Sequence, residues 1–571
     1  MKNLINKHHK YKFLLVFLIL LIETGLETLS VGIFIPFFNS IFQNNEIVIL
    51  NVFFNNFNFG ISNKITFFTL IILIFFIVKN ILTILFAYIK LKINLSFKQY
   101  YKNLLIEYYL NLNFGEVLRK EKSEIIRNII SEVDNFIGNF LFAIIDFAKT
   151  VFITSSIIIL LLYYNFKPSL FILSILLLII FIFYYFTKKK LLELSEKRAH
   201  LSKLNLGKLT SSFNGISEIQ LFGIQNNFIK YIMQSILVFD KLVIPRGIIG
   251  SLPRPFLEVL IVSIFSIALI LTIHTHQDIS FNEIMILFSV YLIAALRLMP
   301  FINGLGSLYN KITLGYASFK ILDVEFEKIK NSQKLKLENS FSNDFEIKKI
   351  ELKNVSFRYN KDDKFLFKNL NLEINNKEKI GIYSESGSGK TTLMNIIIGL
   401  LDPSNGERLV NEKKLSTIDY FNLIRKKAVY LTQDPYFIYN TITDNILKYN
   451  PNKKISNNQL VYLLRKLELN SFLDKNDNFA KDFIGENAKN LSGGQKQRLS
   501  IARALCKDAE IILLDEITSQ LDVENEKKVF ELIYEVFKNK TIIMISHNKN
   551  NFYGCNSIIK IENNNIIKKK V

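Results

Sequence analysis

Long apolar runs separated by charged stretches constrain the first part of this chain more than any other feature. They lie at Phe13–Phe38, Ile65–Ile89, Phe136–Tyr163, Leu170–Phe186, Pro255–Ile273 and Ile284–Leu308. Each approaches the roughly 20 residues that a helix needs to cross hydrocarbon. Water cannot satisfy backbone groups inside a bilayer, so runs of this kind must be helical. About six crossings are expected, which return the chain to the side on which it began. The basic start, Met1 to Lys12, leads into the first run without a small-residue cleavage site, so that run is expected to be retained.

Two intervening stretches, Lys90–Asn135 and Thr187–Arg254, are long, charged and helical in pattern. The remaining gaps carry few cations: Asn39–Lys64 has one Lys, and His274–Glu283 has none. The positive-inside rule therefore assigns the N-terminus, both long loops and everything after Leu308 to the cytoplasm. It also accounts for the charge. Lys and Arg total 71 against 50 Asp and Glu, a net +21, in a chain that is 50% hydrophobic. Most cations fall in the expected cytoplasmic parts and Lys568–Lys570 reads as solvated charge, so no nucleic-acid partner is expected. Cys506 and Cys555 offer no disulfide framework or metal spacing and read as buried thiols.

The pattern changes beyond Val324. Residues 1–325 read as the membrane domain, 326–344 as a polar linker and 345–571 as a soluble α/β domain. In the last, Lys379–Tyr383, Ala428–Thr432, Glu510–Asp515 and Thr541–Ser546 read as buried parallel strands. The expected fold is a membrane α-helical bundle of six transmembrane helices joined to a soluble α/β domain.

The strand Lys379–Tyr383 runs into Ser384, Glu385, Ser386, Gly387, Ser388, Gly389, Lys390, Thr391 and Thr392, with a helix to follow. This is a phosphate loop in its required strand–loop–helix setting. Gly387 and Gly389 let backbone N–H groups curl around phosphate oxygens. Lys390 is placed to reach the β- and γ-phosphates, and Thr391 to hold Mg²⁺. Ser384 stands where the pattern has its first Gly, which predicts altered loop strain without loss of binding. Downstream, the strand ending in Asp515 is followed by Glu516. Asp515 suits Mg²⁺, and Glu516 suits proton removal from an attacking water.

Between these motifs lies Leu491-Ser492-Gly493-Gly494-Gln495. With it, the chain resembles the ATP-binding cassette (ABC) family, whose signature this is. The resemblance implies roles for further residues. Tyr359 matches the aromatic that stacks on adenine, Gln433 the glutamine that senses Mg²⁺ and water, Asp522 the dimer-contact loop, and His547 the γ-phosphate histidine. It also implies a head-to-tail dimer in which Ser492 and Gly494 of one subunit close over ATP held by the other. With Glu516 and His547 both present, a homodimer has two competent sites. The six spans and two long loops resemble an exporter half-transporter, with Phe114–Lys122 and Gly215–Asn227 as its coupling helices.

Charged residues inside the spans bear on the substrate. Lys79 and Arg297 each lie about 14 residues from the outer end of a span, roughly 21 Å deep at about 1.5 Å per residue. Arg254 begins the fifth span. Such cations face a cavity or a partner. Two alternatives stand: pairing with Glu23, Glu27 or Glu258, or a cationic wall for an anionic substrate. Glu23 and Glu27, one turn apart, favour the structural or pairing role. "ETLSVGIFIPFF" (Glu27–Phe38), "LPR" (Leu252–Arg254) and "LRLMP" (Leu296–Pro300) resemble the PglK-type flippase of lipid-linked oligosaccharides. This resemblance implies that Lys79, Arg254 and Arg297 meet the lipid pyrophosphate. Lys79 replaces an Arg of that family and so lacks the bidentate fork. Asn45–Phe59 is either that family's external helix or an ordinary extracellular loop.

The expected protein is a homodimeric exporter of a bacterial inner membrane, using ATP and Mg²⁺ to flip a polyprenyl-diphosphate-linked oligosaccharide. A multidrug or lipid exporter shares every cassette motif, and an ATP-gated channel is a further alternative. The spans exclude a soluble DNA-repair ATPase. The lack of any Cys before Cys506 excludes a bacteriocin exporter with an N-terminal cysteine peptidase.

Overall fold

A computed structural model of the chain describes residues 7–42, 64–251, 281–331 and 345–571. Within the last range it omits 361, 386, 439, 449–455, 474–482, 485–487, 489, 508, 519–522 and 563–564. Between 252 and 280 it describes only 255, 258, 259, 263 and 266. Arg254, Ser386, Asp522 and the stretch Asn45–Phe59 therefore lie outside the described residues. The chain divides into two compact units, one of residues 1–110 and 120–332, the other of residues 111–119 and 333–571.

The first unit is helical. Its helices are α1 (Lys7–Gly32), α2 (Phe34–Phe42) and α3 (Lys64–Leu110). After the short α4 (Phe114–Leu118), which belongs to the other unit, come α5 (Lys122–Tyr164), α6 (Phe166–Asn214) and α7 (Ile216–Leu221). They are followed by α8 (Gln225–Asp240), α9 (Val243–Ser251) and α10 (Phe281–Asn331). Among the described residues four helical segments are long and apolar enough to cross a membrane: Lys10–Asn39, Phe68–Leu110, Lys122–Tyr164 and Phe288–Lys330. The expected fourth span, Leu170–Phe186, forms the first part of α6. The expected fifth, Pro255–Ile273, falls mostly outside the described residues. On α3, Leu73, Ile74, Ile77, Ile81 and Ile84 are all exposed, as a lipid-facing stripe requires.

Inside the bundle, Val31, Ile153, Ile157, Leu161, Ile286, Val290, Ala294 and Leu298 form one apolar core. Helix α10 continues to Asn331, past residue 326, where a linker is expected to begin. Phe326 is buried, and Glu325 holds Lys120 and Lys328 at 2.8 and 3.0 Å. These contacts outweigh the local polarity, and Lys328 and Lys330 in the last turn suit the helix C-terminus.

Helix α5 carries two π-helical turns, Asn128–Glu132 and Phe136–Leu141. Gly315 of α10 lies against the second. A Cβ there would sit 2.4 Å from the backbone nitrogen of Phe140. Phe140 and Phe319 stack beside it, centroids 5.3 Å apart. Absence of a side chain at Gly315 is what allows this approach. Gly315→Val is expected to lower stability by roughly 1–3 kcal/mol through overpacking. Thermal unfolding in detergent checks this, and an unchanged midpoint contradicts the close helix crossing.

The second unit has an antiparallel sheet and a mostly parallel one. Strands β1 (Lys349–Phe357), β2 (Phe367–Asn375), β4 (Asn405–Val410) and β5 (Lys413–Lys414) form the first, in the order β2-β1-β4-β5. The second uses β3 (Lys379–Tyr383), β6 (Ala428–Leu431), β9 (Ile511–Asp515), β10 (Thr541–Ile545), β11 (Ser557–Glu562) and β12 (Asn565–Lys570). Its order is β12-β11-β3-β10-β9-β6, and only β12 is antiparallel to its neighbour. A small pair, β7 (Asn440–Thr441) and β8 (Phe483–Ile484), stands apart. Strands β9 and β10 are buried throughout, as continuous apolar runs in a covered parallel sheet must be. The helices are α11 (Lys390–Ile398), α12 (Thr417–Lys427), α13 (Ile442–Leu447), α14 (Asn457–Lys466), α15 (Gly493–Cys506) and α16 (Val523–Val536). Cys506 and Cys555 are both buried.

Candidate functional site

The parallel register sends the C-terminal ends of β3, β9 and β10 to one sheet edge. Ile545 pairs with Ile382 on one side and Asp515 on the other. The phosphate loop follows β3, Glu516 follows β9, and His547 lies just beyond β10.

The loop takes its shape from two left-handed glycines, Gly387 at φ +80° and Gly389 at φ +94°. A Cβ on Gly387 would meet nothing, so that glycine is required by backbone conformation alone. Gly389 caps α11, whose first residue is Lys390. The Lys390 ammonium is buried and donates to the carbonyls of Ser384 and Glu385 at 3.0 and 3.1 Å. The Ser388 hydroxyl is buried and finds no partner among the described residues. A buried orphan hydroxyl and a cation gathered into a glycine-shaped loop at a helix N-terminus fit a phosphate group.

Ser384 corrects one expectation. It is not among the residues with positive φ, so its Cβ brings no left-handed strain to the loop. Its buried hydroxyl donates to the Ile561 carbonyl at 2.7 Å and ties the loop to β11. Tyr359 reaches the same helix. Its phenol lies 2.8 Å from the Thr392 hydroxyl, its ring stands edge-on to Phe357, and it remains 47% exposed, so a flat base can stack on it. Arg119, just after α4, donates to the Tyr359 carbonyl at 2.9 Å.

Asp515 is buried at the end of β9 and accepts hydrogen bonds from the Tyr430 hydroxyl, at 2.8 Å, and from Thr391. Burial pushes its carboxyl above the usual range, against the pull of those two hydrogen bonds. Burial, and then the Asp515 charge, push the Tyr430 phenol up. An acidic group and a hydroxyl converging here fit a hard divalent cation. The next residue, Glu516, is held at φ +50°, which costs a non-glycine residue on the order of 1 kcal/mol. Its N–H donates to the Ile545 carbonyl at 3.2 Å. Its Oε1 lies 2.8 Å from Nε2 of His547, and the histidine is 55% exposed. The strained turn thus aims a carboxylate at an exposed imidazole beside the phosphate loop.

Gln433 is exposed, and its carbonyl accepts from the Gln497 side chain at 2.9 Å. Ser492 caps α15 in a reciprocal box: it accepts from the Gln495 N–H at 3.2 Å and donates its own N–H to the Gln495 side chain at 2.9 Å. This fixes Gly493 and Gly494 in the first turn, with Ser492 exposed. The structure thus brings Tyr359, the loop, Asp515, Glu516 and His547 together. The side chains of Ser492 and Gln495 are engaged in this reciprocal cap.

Sequence reasoning missed Tyr430, Gln497 and Arg503. Buried Arg503 donates to the carbonyls of Tyr436 and Asn445 at 2.6 and 2.7 Å and stacks on Phe437, centroid distance 4.2 Å. It pins the segment that follows Gln433. The available signal was an arginine on the buried face of "LSIARALC".

In the helical unit, Lys79 is only 3% exposed and its ammonium lies 2.6 Å from Glu27. Lys79 therefore takes the pairing alternative and is not an open cavity cation here, because an unpaired ammonium in hydrocarbon is costly. Arg297 is half-buried, its guanidinium 4.7 Å from the Phe76 centroid. Arg254 lies outside the described residues. Glu23 pairs with Lys149 at 2.6 Å.

Replacing Ser384 with Ala is expected to cost about 1 kcal/mol of stability while ATP affinity stays unchanged. Thermal unfolding and nucleotide titration check this. Weakened nucleotide binding at unchanged stability would move the hydroxyl's role from the loop's anchorage to the ligand.

Comparison with known proteins bears on the family and the fold. Residues 13–296 match the ABC transporter transmembrane region, and residues 367–519 match the ABC transporter family. The chain is 34% identical over 221 residues to ABC transporter B family member 13 of Arabidopsis thaliana, covering 38% of this chain and 18% of that protein. It is 28% identical over 313 residues to the ATP-dependent lipid A-core flippase of Pasteurella multocida, covering 54% and 52%. The chain thus spans about a fifth to about a half of the length of these curated relatives. A bacterial Atm1-family ABC exporter solved with ATP bound superimposes with a TM-score of 0.76 at 17% identity, over 99% of this chain and 96% of that one. The chain is an ABC transporter, with a transmembrane region and an ATP-binding cassette on one polypeptide in the ABC exporter fold.

Proposed function

We propose that two copies of this chain form an exporter that hydrolyses ATP to move an anionic lipid-linked substrate across a bacterial inner membrane. The polyprenyl-diphosphate oligosaccharide is the substrate class that fits best. The observation that carries the ATPase reading is the Glu516–His547 contact of 2.8 Å, held by a strained turn beside the phosphate loop.

Glu516 takes the proton from the attacking water, and the His547 imidazole orients that carboxylate. Lys390 and the loop N–H groups hold the β- and γ-phosphates. Thr391, Asp515 and Gln433 would hold Mg²⁺, whose charge would offset that of the phosphate oxygens. Tyr359 carries the adenine. Ser492, Gly493, Gly494 and Gln495 of one subunit close over the nucleotide of the other, and Asp522 lies at that dimer contact. Helix α4 shares a unit with the cassette, and the Arg119–Tyr359 bond gives nucleotide-driven motion a route to it. The N-terminus and the cassette face the cytoplasm.

For the substrate, Arg297 is the first contact, because Lys79 is shielded by Glu27. Both cations stand over Phe76, at 4.7 and 5.6 Å from its centroid. The shielding of Lys79 favours one second reading, an exporter of lipids or multiple drugs that recognises apolar surface. The relative named as a lipid A-core flippase is compatible with both readings.

Glu516→Gln is expected to leave ATP binding intact and lower hydrolysis by roughly 100-fold or more. An unchanged hydrolysis rate removes Glu516 from the base role. Arg297→Ala is expected to reduce flipping of a polyprenyl-diphosphate sugar in proteoliposomes more than it reduces basal ATPase. Equal flipping by variant and wild type removes the cationic wall.

A further inference from the structure

Lys79 and Arg297 share one aromatic ring and, between them, one carboxylate. Glu27 lies 2.6 Å from the Lys79 ammonium, and among the described residues no carboxylate is within ion-pair distance of Arg297. Neighbouring acids are engaged elsewhere: Glu23 with Lys149 at 2.6 Å, and Asp146 with Lys90. Among the described residues, two cations against one carboxylate leave an excess positive charge in apolar surroundings, which favours recruitment of an anion. The three groups differ in access. Lys79 is 3% exposed and Glu27 17%, while Arg297 is half-buried. An incoming anion therefore meets Arg297 first and finds Lys79 covered by Glu27.

We propose that Glu27 is a built-in counter-ion that sets the selectivity of this site, and that an arriving headgroup must displace it from Lys79. This rests on the reading of an anionic substrate given above. A headgroup with one anionic centre binds Arg297 and leaves the Glu27–Lys79 pair in place. A diphosphate has a second anionic centre, and both cations lie near enough to one ring for a single headgroup to span them. The guanidinium offers a bidentate fork to the first phosphate, and the ammonium acts as a point charge for the second. Released Glu27 has a partner close by. The buried Ser30 hydroxyl donates to the Glu27 carbonyl at 2.6 Å and lies 3.4 Å from its Oε2, so a small rotation engages the carboxylate. Glu27 thus raises the threshold for weak anions and keeps Lys79 neutralised until the correct headgroup arrives.

The test uses the full chain in phosphatidylcholine vesicles, whose zwitterionic surface leaves headgroup charge to the probe. ATPase stimulation is measured against farnesyl diphosphate and farnesyl monophosphate. Wild type is expected to respond to the diphosphate and little to the monophosphate. Glu27→Gln is expected to lower the half-maximal diphosphate concentration roughly tenfold and to make the monophosphate stimulatory. Glu27→Asp keeps the charge but shortens the reach, guards against loss of folding, and is expected to shift in the same direction by less. If wild type responds and both variants show an unchanged or higher half-maximal concentration, the counter-ion role is overturned alone. If wild type responds to neither probe and matches Arg297→Ala, the anionic-substrate reading is overturned, and the counter-ion role with it.

Discussion

The parallel pairing of β3, β10 and β9 is the constraint on which the nucleotide site depends. Register fixes which residues end each strand, and Ile545 lies level with both Ile382 and Asp515. Loops that leave parallel strands at one edge converge without further design, which is why open parallel sheets place ligands at their C-terminal ends. Here the edge collects a glycine-shaped loop, a buried Asp, a strained Glu and an exposed His. The Glu516 N–H bonded to Ile545 carries the register directly into the aim of the carboxylate. A slip of one residue would turn Asp515 away from Thr391 and Tyr430.

A different constraint governs the helical unit. Charge inside an apolar bundle must be neutralised, and α1, α3 and α5 contribute matched groups at two levels, Glu27 with Lys79 and Glu23 with Lys149. Arg297 is set apart by resting on an aromatic face in place of a carboxylate. A cation held by a ring keeps its N–H edges available, which suits recognition of an anion. The same bundle is braced by the Gly315 crossing, where loss of a side chain permits backbone contact that no larger residue allows.

The motifs were legible because their chemistry is local. A phosphate loop, a signature and an acidic strand end each occupy a few consecutive residues, and their order identifies the fold. What the sequence hid depends on tertiary contact. Tyr430 becomes a partner of Asp515 only once β6 pairs with β9. Ser384 looked like a departure from the loop pattern, yet its φ is ordinary and its hydroxyl is used by Ile561. Helix α10 runs into the polar stretch because Phe326 packs on Tyr101 and Phe136 and Glu325 pairs with Lys120, contacts distant in sequence. The π-helical turns of α5, the second of which packs on Phe319 of α10, left no signal in the sequence. Lys79 stands out in the sequence as a charge within an apolar run, but only the folded bundle selects Glu27 from among its possible partners.

The activity to be tested is ATP-driven movement of an anionic lipid. The most direct measurement follows a fluorescent polyprenyl-diphosphate sugar in proteoliposomes that hold the full chain, with and without ATP. Transfer between leaflets is expected to require ATP and Mg²⁺ and to stop when hydrolysis is blocked by vanadate. Transfer that proceeds equally without ATP, or ATP turnover with no transfer of the labelled lipid, contradicts it.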